Sequence, residues 1–154
     1  MFTIRHSMFE TNSSSNHVFV FKPDENVSVP STVELIPDSK ESMLQILFND
    51  HYSWYSPNRW GEEEMVEFID MLYACGVRNI KCSDKNIREL AKERKGISYG
   101  SKHLSRGRMF LNDFKCICFG EETKLTTLRD FDVNDENVKN EFGDGYDYCS
   151  VRLS

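Results

Sequence analysis

A chain of 154 residues suits one domain, and 39% hydrophobic, 12% aromatic and 29% charged residues place it with folded globular proteins rather than disordered ones. No run approaches the roughly 18 apolar residues that cross a bilayer. Met1-Phe2-Thr3-Ile4-Arg5-His6 turns polar too early for a secretory signal, so a cytoplasmic protein without membrane contact is expected. The net charge of −6 averages unlike parts: from Arg78 to Arg108 ten Lys or Arg stand against three acids, a local +7 that leaves −13 for the rest. Such a split points to an anionic partner for the basic part.

Phe2-Thr3-Ile4 and His17-Val18-Phe19-Val20-Phe21 carry the branched and aromatic residues that suit a pleated surface, which predicts two strands joined by a polar loop. Lys22 to Asn26 is a turn by composition, followed by a candidate edge strand at Val27-Ser28-Val29 and another strand from Thr32 to Ile36, ended by Pro37. Asp38 and Glu41 have the spacing of a capping box, and Met43, Ile46 and Leu47 then share a helical face, which predicts a short helix ending near Asp50. The aromatic run from His51 to Trp60 reads as a loop, because Pro57 and Asn58 break regular structure.

Gly61-Glu62-Glu63-Glu64 opens the clearest helix. Its acids complement the helix dipole, Met65, Phe68, Ile69, Leu72 and Tyr73 form an apolar stripe, and Gly76 stops it. Val77 to Cys82 reads as a strand, and Ser83 as the cap of a helix from Asp84 to about Lys95 with Ile87, Leu90 and Ala91 inward. Lys85, Arg88, Lys92 and Lys95 recur at three- and four-residue steps and therefore share one face of that helix. A loop with Lys102, Arg106 and Arg108 extends the same anionic-partner face, with Tyr99 and His103 interleaved.

Met109 to Leu111 and Phe114 to Phe119 are predicted strands, the second by its alternation. Asn134 to Gly143 has a cap at one end and glycine at the other, which predicts a short polar helix, and Asp144-Gly145 then turns the chain into a last strand from Tyr146 to Leu153. The fold expected is a single α+β domain with a mostly antiparallel sheet and two or three helices.

Cys75, Cys82, Cys116, Cys118 and Cys149 are odd in number and scattered, unlike a disulfide framework, and read as small buried hydrophobes in a reducing compartment. Cys116-x-Cys118 lacks the spacing and the second pair of a zinc site. Asp130, Asp132, Asn134 and Glu141 match four positions of a calcium loop, but Asp135 stands where its sharp turn requires glycine. No metal and no cofactor are expected.

The segment from Arg5 to His17 looks chosen for chemistry. Glu10 supplies a carboxylate, Asn12 an amide, Thr11, Ser13, Ser14 and Ser15 four hydroxyls, His6 and His17 imidazoles, and Arg5 a charged fork. Hydroxyls, backbone N–H groups and a guanidinium together can wrap a phosphate. The same residue types also cluster in loops because their side chains imitate backbone turns. A catalytic reading takes Ser14 as nucleophile, His17 as base and Glu10 as its orienting partner. Against it, the glycines of a hydrolase nucleophile turn, a P-loop or a dinucleotide fingerprint are absent.

Phe9-Glu10-Thr11-Asn12-Ser13-Ser14-Ser15-Asn16-His17, with Arg5 four residues upstream, resembles the N-terminal signature of small uncharacterised proteins of tailed bacteriophages and bacteria. The resemblance covers about the first twenty residues. It implies a phage accessory protein that binds a host or phage protein, or a small phosphorylated or nucleotide ligand, through Arg5, Glu10, Thr11, Asn12, Ser13, Ser14, Ser15 and His17. Two alternatives stand beside it. One is an enzyme acting on a nucleotide or phosphorylated substrate with Ser14, His17 and Glu10 at its centre. The other is a nucleic-acid-binding protein using the basic segment from Arg78 to Arg108.

Overall fold

The computed structural model describes residues 16–38, 43–55, 62–97, 103–104, 109–127 and 130–152. β1 (Asn16–Phe21) is the centre of a three-stranded antiparallel sheet, between β8 (Lys124–Thr127) and β9 (Asp147–Arg152). Its alternation serves two cores at once. Phe19 and Phe21 enter the main core, while Val18 and Val20 pack on the opposite face with Val138 and, at its margin, Phe131, Phe142 and Tyr146. A strand buried on both faces reads as a continuous apolar run, which is why this stretch was visible in the sequence. Both edges of β1 are occupied from His17 to Val20, so no third strand can pair with it there. The expected strand at Phe2-Thr3-Ile4 lies outside the described residues.

The second sheet has the order β4-β3-β2-β5, with β2 (Thr32–Asp38), β3 (Met43–Phe48), β4 (His51–Tyr55) and β5 (Asn79–Cys82). Only the β2–β5 pair is parallel among its pairings. Val33 and Leu35 from β2 and Leu44 and Ile46 from β3 are fully buried on its inner face. The helix expected between Asp38 and Asp50 is thus corrected to a strand, and the loop expected from His51 onward begins as a strand. Leu44 and Ile46 alternate as well as Met43, Ile46 and Leu47 step, and so short an apolar run does not choose its own period. The turn decides. Phe48 pairs with His51 across Asn49 and Asp50, whose φ values of 47° and 62° make the left-handed two-residue turn that matches strand twist. Pro37 lies within β2 rather than ending it, at a point where β5 has already stopped opposite Leu35 and leaves β2 one neighbour. Val27 and Val29 form no strand; they pack irregularly against the core.

Four helices are present among the described residues, one more than the upper expectation. α1 (Glu62–Cys75) buries Phe68, Ile69, Met71 and Leu72. It ends in a Schellman motif, the Val77 N–H donating to Leu72 O at 3.1 Å and the Gly76 N–H to Tyr73 O at 3.2 Å. Gly76 has φ +123°, which a side chain would strain. α2 (Lys85–Arg94) is capped by Asp84 rather than Ser83, the carboxylate accepting the Ile87 N–H at 3.0 Å. After the short pair β6 (His103–Leu104) and β7 (Met109–Phe110), α3 (Leu111–Phe119) replaces the strand expected from Phe114 to Phe119. Phe114, Cys116, Ile117, Cys118 and Phe119 are all buried. A helix end buried all round has no polar stripe to declare its period, and the Lys115 interruption imitated alternation. α4 (Asp135–Phe142) is the expected polar helix, with Asn134 accepting the Asn137 N–H at 2.8 Å.

One buried cluster draws on β1, the second sheet, α1, α2 and α3, which makes this a single α+β domain with two mostly antiparallel sheets. No helix among the described residues is long and apolar enough to cross a membrane.

Candidate anionic-contact face

The two sequence candidates fare differently. Arg5, Glu10, Thr11, Asn12, Ser13, Ser14 and Ser15 lie outside the described residues, as do Lys102, Arg106 and Arg108. His17 is placed only by its backbone, as the second residue of β1 opposite Thr127 on one side and Val151 on the other.

Lys85, Arg88, Lys92 and Lys95 are described, and they do share one flank of α2. Lys85, Lys92 and Lys95 are exposed and Arg88 is half-buried. The flank faces β5: the Arg88 guanidinium donates to the carbonyls of Cys82 and Ser83 at 3.2 and 3.4 Å, and Lys95 Nζ donates to Asn79 Oδ1 at 3.1 Å. These bonds join helix and strand into one surface, to which β5 and the turn before it add exposed Lys81 and Arg78. The sequence contained both residues, but only the packing of α2 beside β5 brings them to the face. The charged groups of Arg78, Lys81, Lys85 and Lys92 meet no ion-pair or hydrogen-bond partner among the described residues. By helical spacing Glu89 lies one turn from both Lys85 and Lys92 and borders this face, while Glu93 lies farther round α2.

Arg94, on the inner side of α2, does structural work instead. Its Nε donates to Asp70 Oδ1 at 2.9 Å and an Nη to Asp70 Oδ2 at 2.6 Å, a two-bond fork onto a carboxylate buried in α1. The Asp70 hydrogen bond holds the Arg94 guanidinium even more firmly charged. Beside it the Tyr73 hydroxyl donates to Ala91 O at 2.6 Å, and its burial, then the Asp70 charge, raise the phenol above its usual value. α1 and α2 are therefore tied at two points.

The thiols are chemically quiet. Burial raises all five above their ordinary value, Cys75 to about 12, which disfavours the reactive thiolate at neutral pH. Cys116 is engaged structurally, accepting the Asp24 N–H at 3.3 Å and donating to Asp24 O at 3.4 Å. The calcium-loop residues are also engaged elsewhere: Asn134 caps α4, and Asp130 accepts the Thr127 hydroxyl at 2.8 Å. No family model, curated protein or solved structure matches this chain, and the contact face stands on its own residues.

Proposed function

We propose that this protein acts by binding, and that the cationic strip of β5 and α2 receives the phosphate backbone of a nucleic acid. The observation that carries this reading is Lys85. It occupies the first turn of α2, which holds no acid, so its charge opposes the helix dipole at a cost of about 0.3–1 kcal/mol. An exposed cation at the positive end of its helix, with only Glu89 one turn away to offset it, suits a partner of opposite sign. Lys92, Lys81 and Arg78 continue the strip, and neutralising phosphates with them would release counterions. The acidic remainder of the chain does not cancel this, because charges separated by more than about 10 Å are screened at ordinary salt.

The resemblance of the N-terminal signature supports a phage accessory setting, in which the Arg5–His17 loop is a second contact for a host or phage protein or a small anionic ligand. His17, the last residue of that segment, is paired along its backbone with strands on both sides.

Fluorescence anisotropy with a labelled oligonucleotide at low salt tests the strip. Binding that weakens steeply with salt and is lost in Lys85→Glu with Lys92→Glu is the expected result. An unchanged affinity in that double variant would overturn the reading. If His17→Ala abolished turnover of a nucleotide substrate, the loop would instead be a catalytic centre.

A further inference from the structure

The strip ends at a recess. Between the C-terminal part of α1 and the end of α2, a cavity of about 320 Å³ is lined by Tyr73, Ala74, Val77, Arg78, Lys95 and Ile97, among others. That volume is at the low end of ligand sites, about 300–1,000 Å³. Tyr73, Ala74, Val77 and Ile97 give apolar walls, and exposed Arg78 and Lys95 place two cations beside them. The Asp70 carboxylate also lines the recess, with both its oxygens taken by the Arg94 guanidinium. Ile97 is 46% exposed, one of three large hydrophobics so open among the described residues. An apolar wall next to paired cations is the chemistry of a nucleotide site, where the base takes the wall and the phosphates take the charges.

The recess is also preformed. The Asp70–Arg94 fork and the Tyr73–Ala91 bond fix α1 against α2 on one side. The Schellman turn at Gly76 and the Arg78 N–H, which donates to Ser31 O at 2.8 Å, fix the chain on the other. Lys95 is steered by Asn79. Little ordering is left for a ligand to impose, which favours binding.

We propose that this recess takes an unstacked nucleobase, with Arg78 and Lys95 on the phosphates flanking it, so that the nucleic acid bound along the strip is single-stranded. The proposal rests on the nucleic-acid reading of the strip. A base inside a duplex is enclosed by its stack and its pair and would have to be flipped out to enter, whereas a single strand offers its bases at little cost. Strip and recess therefore divide the labour: the strip sets affinity, and the recess sets the preference for unpaired strands.

The test titrates the full chain with single-stranded and duplex oligonucleotides of equal length and sequence, in deoxyribose and ribose forms. Two variants accompany the wild type, Ala74→Trp to fill the recess and Ile97→Asn to remove its apolar wall without changing charge, on different segments so that one folding failure cannot decide the matter. The wild type is expected to favour the single strand by about tenfold, and both variants to lose that preference while keeping duplex affinity and salt dependence. Equal binding of the two forms by the wild type, a preference for duplex, or a preference that survives in the folded variants would overturn the recess and leave the strip standing. Absence of binding to either form at low salt would overturn the strip itself.

Discussion

The lysines around α4 and those around α2 are the same residue type in opposite circumstances. On the α4 side, Lys124 Nζ lies 5.1 Å from the Tyr146 ring centre and 5.5 Å from that of Phe142, and Lys22 Nζ lies 5.9 Å from Tyr146. Tyr146 in turn donates to Glu122 at 2.7 Å, and Lys139 meets Asp144 at 3.6 Å. Those cations already have neighbours that attract them. On the α2 side, Arg78, Lys81, Lys85 and Lys92 make no ion pair or hydrogen bond among the described residues; their acidic neighbours, Glu34 opposite Lys81 and Glu89 one turn from Lys85 and Lys92, leave the side-chain charges unbonded. Counting charges does not separate the two regions. Asking what each charge already touches does.

The largest expected effect tests the frame that holds the α2 side in place. Arg94→Ala would leave the Asp70 carboxylate buried without its fork and should cost roughly 3 kcal/mol of stability, read by denaturant unfolding. Next comes the contrast between the regions themselves. Lys85→Glu with Lys92→Glu should lower oligonucleotide affinity at least about tenfold at low salt, while Lys22→Glu with Lys124→Glu, an equal charge change, should leave it nearly unaltered. Equal losses from both pairs would dissolve the distinction.

A smaller effect sharpens it. Lys85→Glu alone should weaken binding while changing stability by less than about 0.5 kcal/mol, because the gain from an acid in the first turn of α2 is offset by its repulsion of Glu89 one turn on. Loss of binding with stability nearly unchanged would show that the charge serves a partner and not the fold. The smallest effect concerns the α4 side. The hydrogen bond to Glu122, then slight burial and the Glu122 charge, raise the Tyr146 phenol above its usual value. A raised value means the folded state holds that proton more tightly than the unfolded chain. The contribution is complete below about pH 10 and disappears as pH rises through the raised value. Spectrophotometric titration should find Tyr146 ionising late, and Glu122→Gln should bring it back towards the ordinary range.

How far the fold was legible depended on whether local pattern and tertiary role agreed. β1, α1, α2 and α4 showed themselves because their apolar faces and caps match what buries and bonds them, as with Phe68, Ile69 and Leu72 on α1 and Asn134 before α4. β3 was misread because six apolar-rich residues fit two periods, and its deciding signal, Asn49-Asp50, is a weaker form of the usual Asn-Gly hairpin turn. α3 was misread because its C-terminal half is buried on all sides. β8 was missed because four residues are too few to carry a pattern; its edge is defined by β1 and not by itself. At the candidate site, the spacing of Lys85, Arg88, Lys92 and Lys95 was legible from helix geometry. Arg78, Lys81 and the recess were not, since they join that face only where β5 and α1 pack beside α2.

The central claim is that cations not neutralised by an ion pair in the fold are the ones a nucleic acid uses. Its most direct test is the slope of log affinity against log salt for single-stranded oligonucleotide. With Arg78, Lys81, Lys85, Lys92 and Lys95 each neutralising a phosphate, the slope should be roughly −3.5, and Lys85→Ala should make it shallower by about 0.7. A flat dependence in the wild type, or a slope that Lys85→Ala leaves unchanged, would contradict the account.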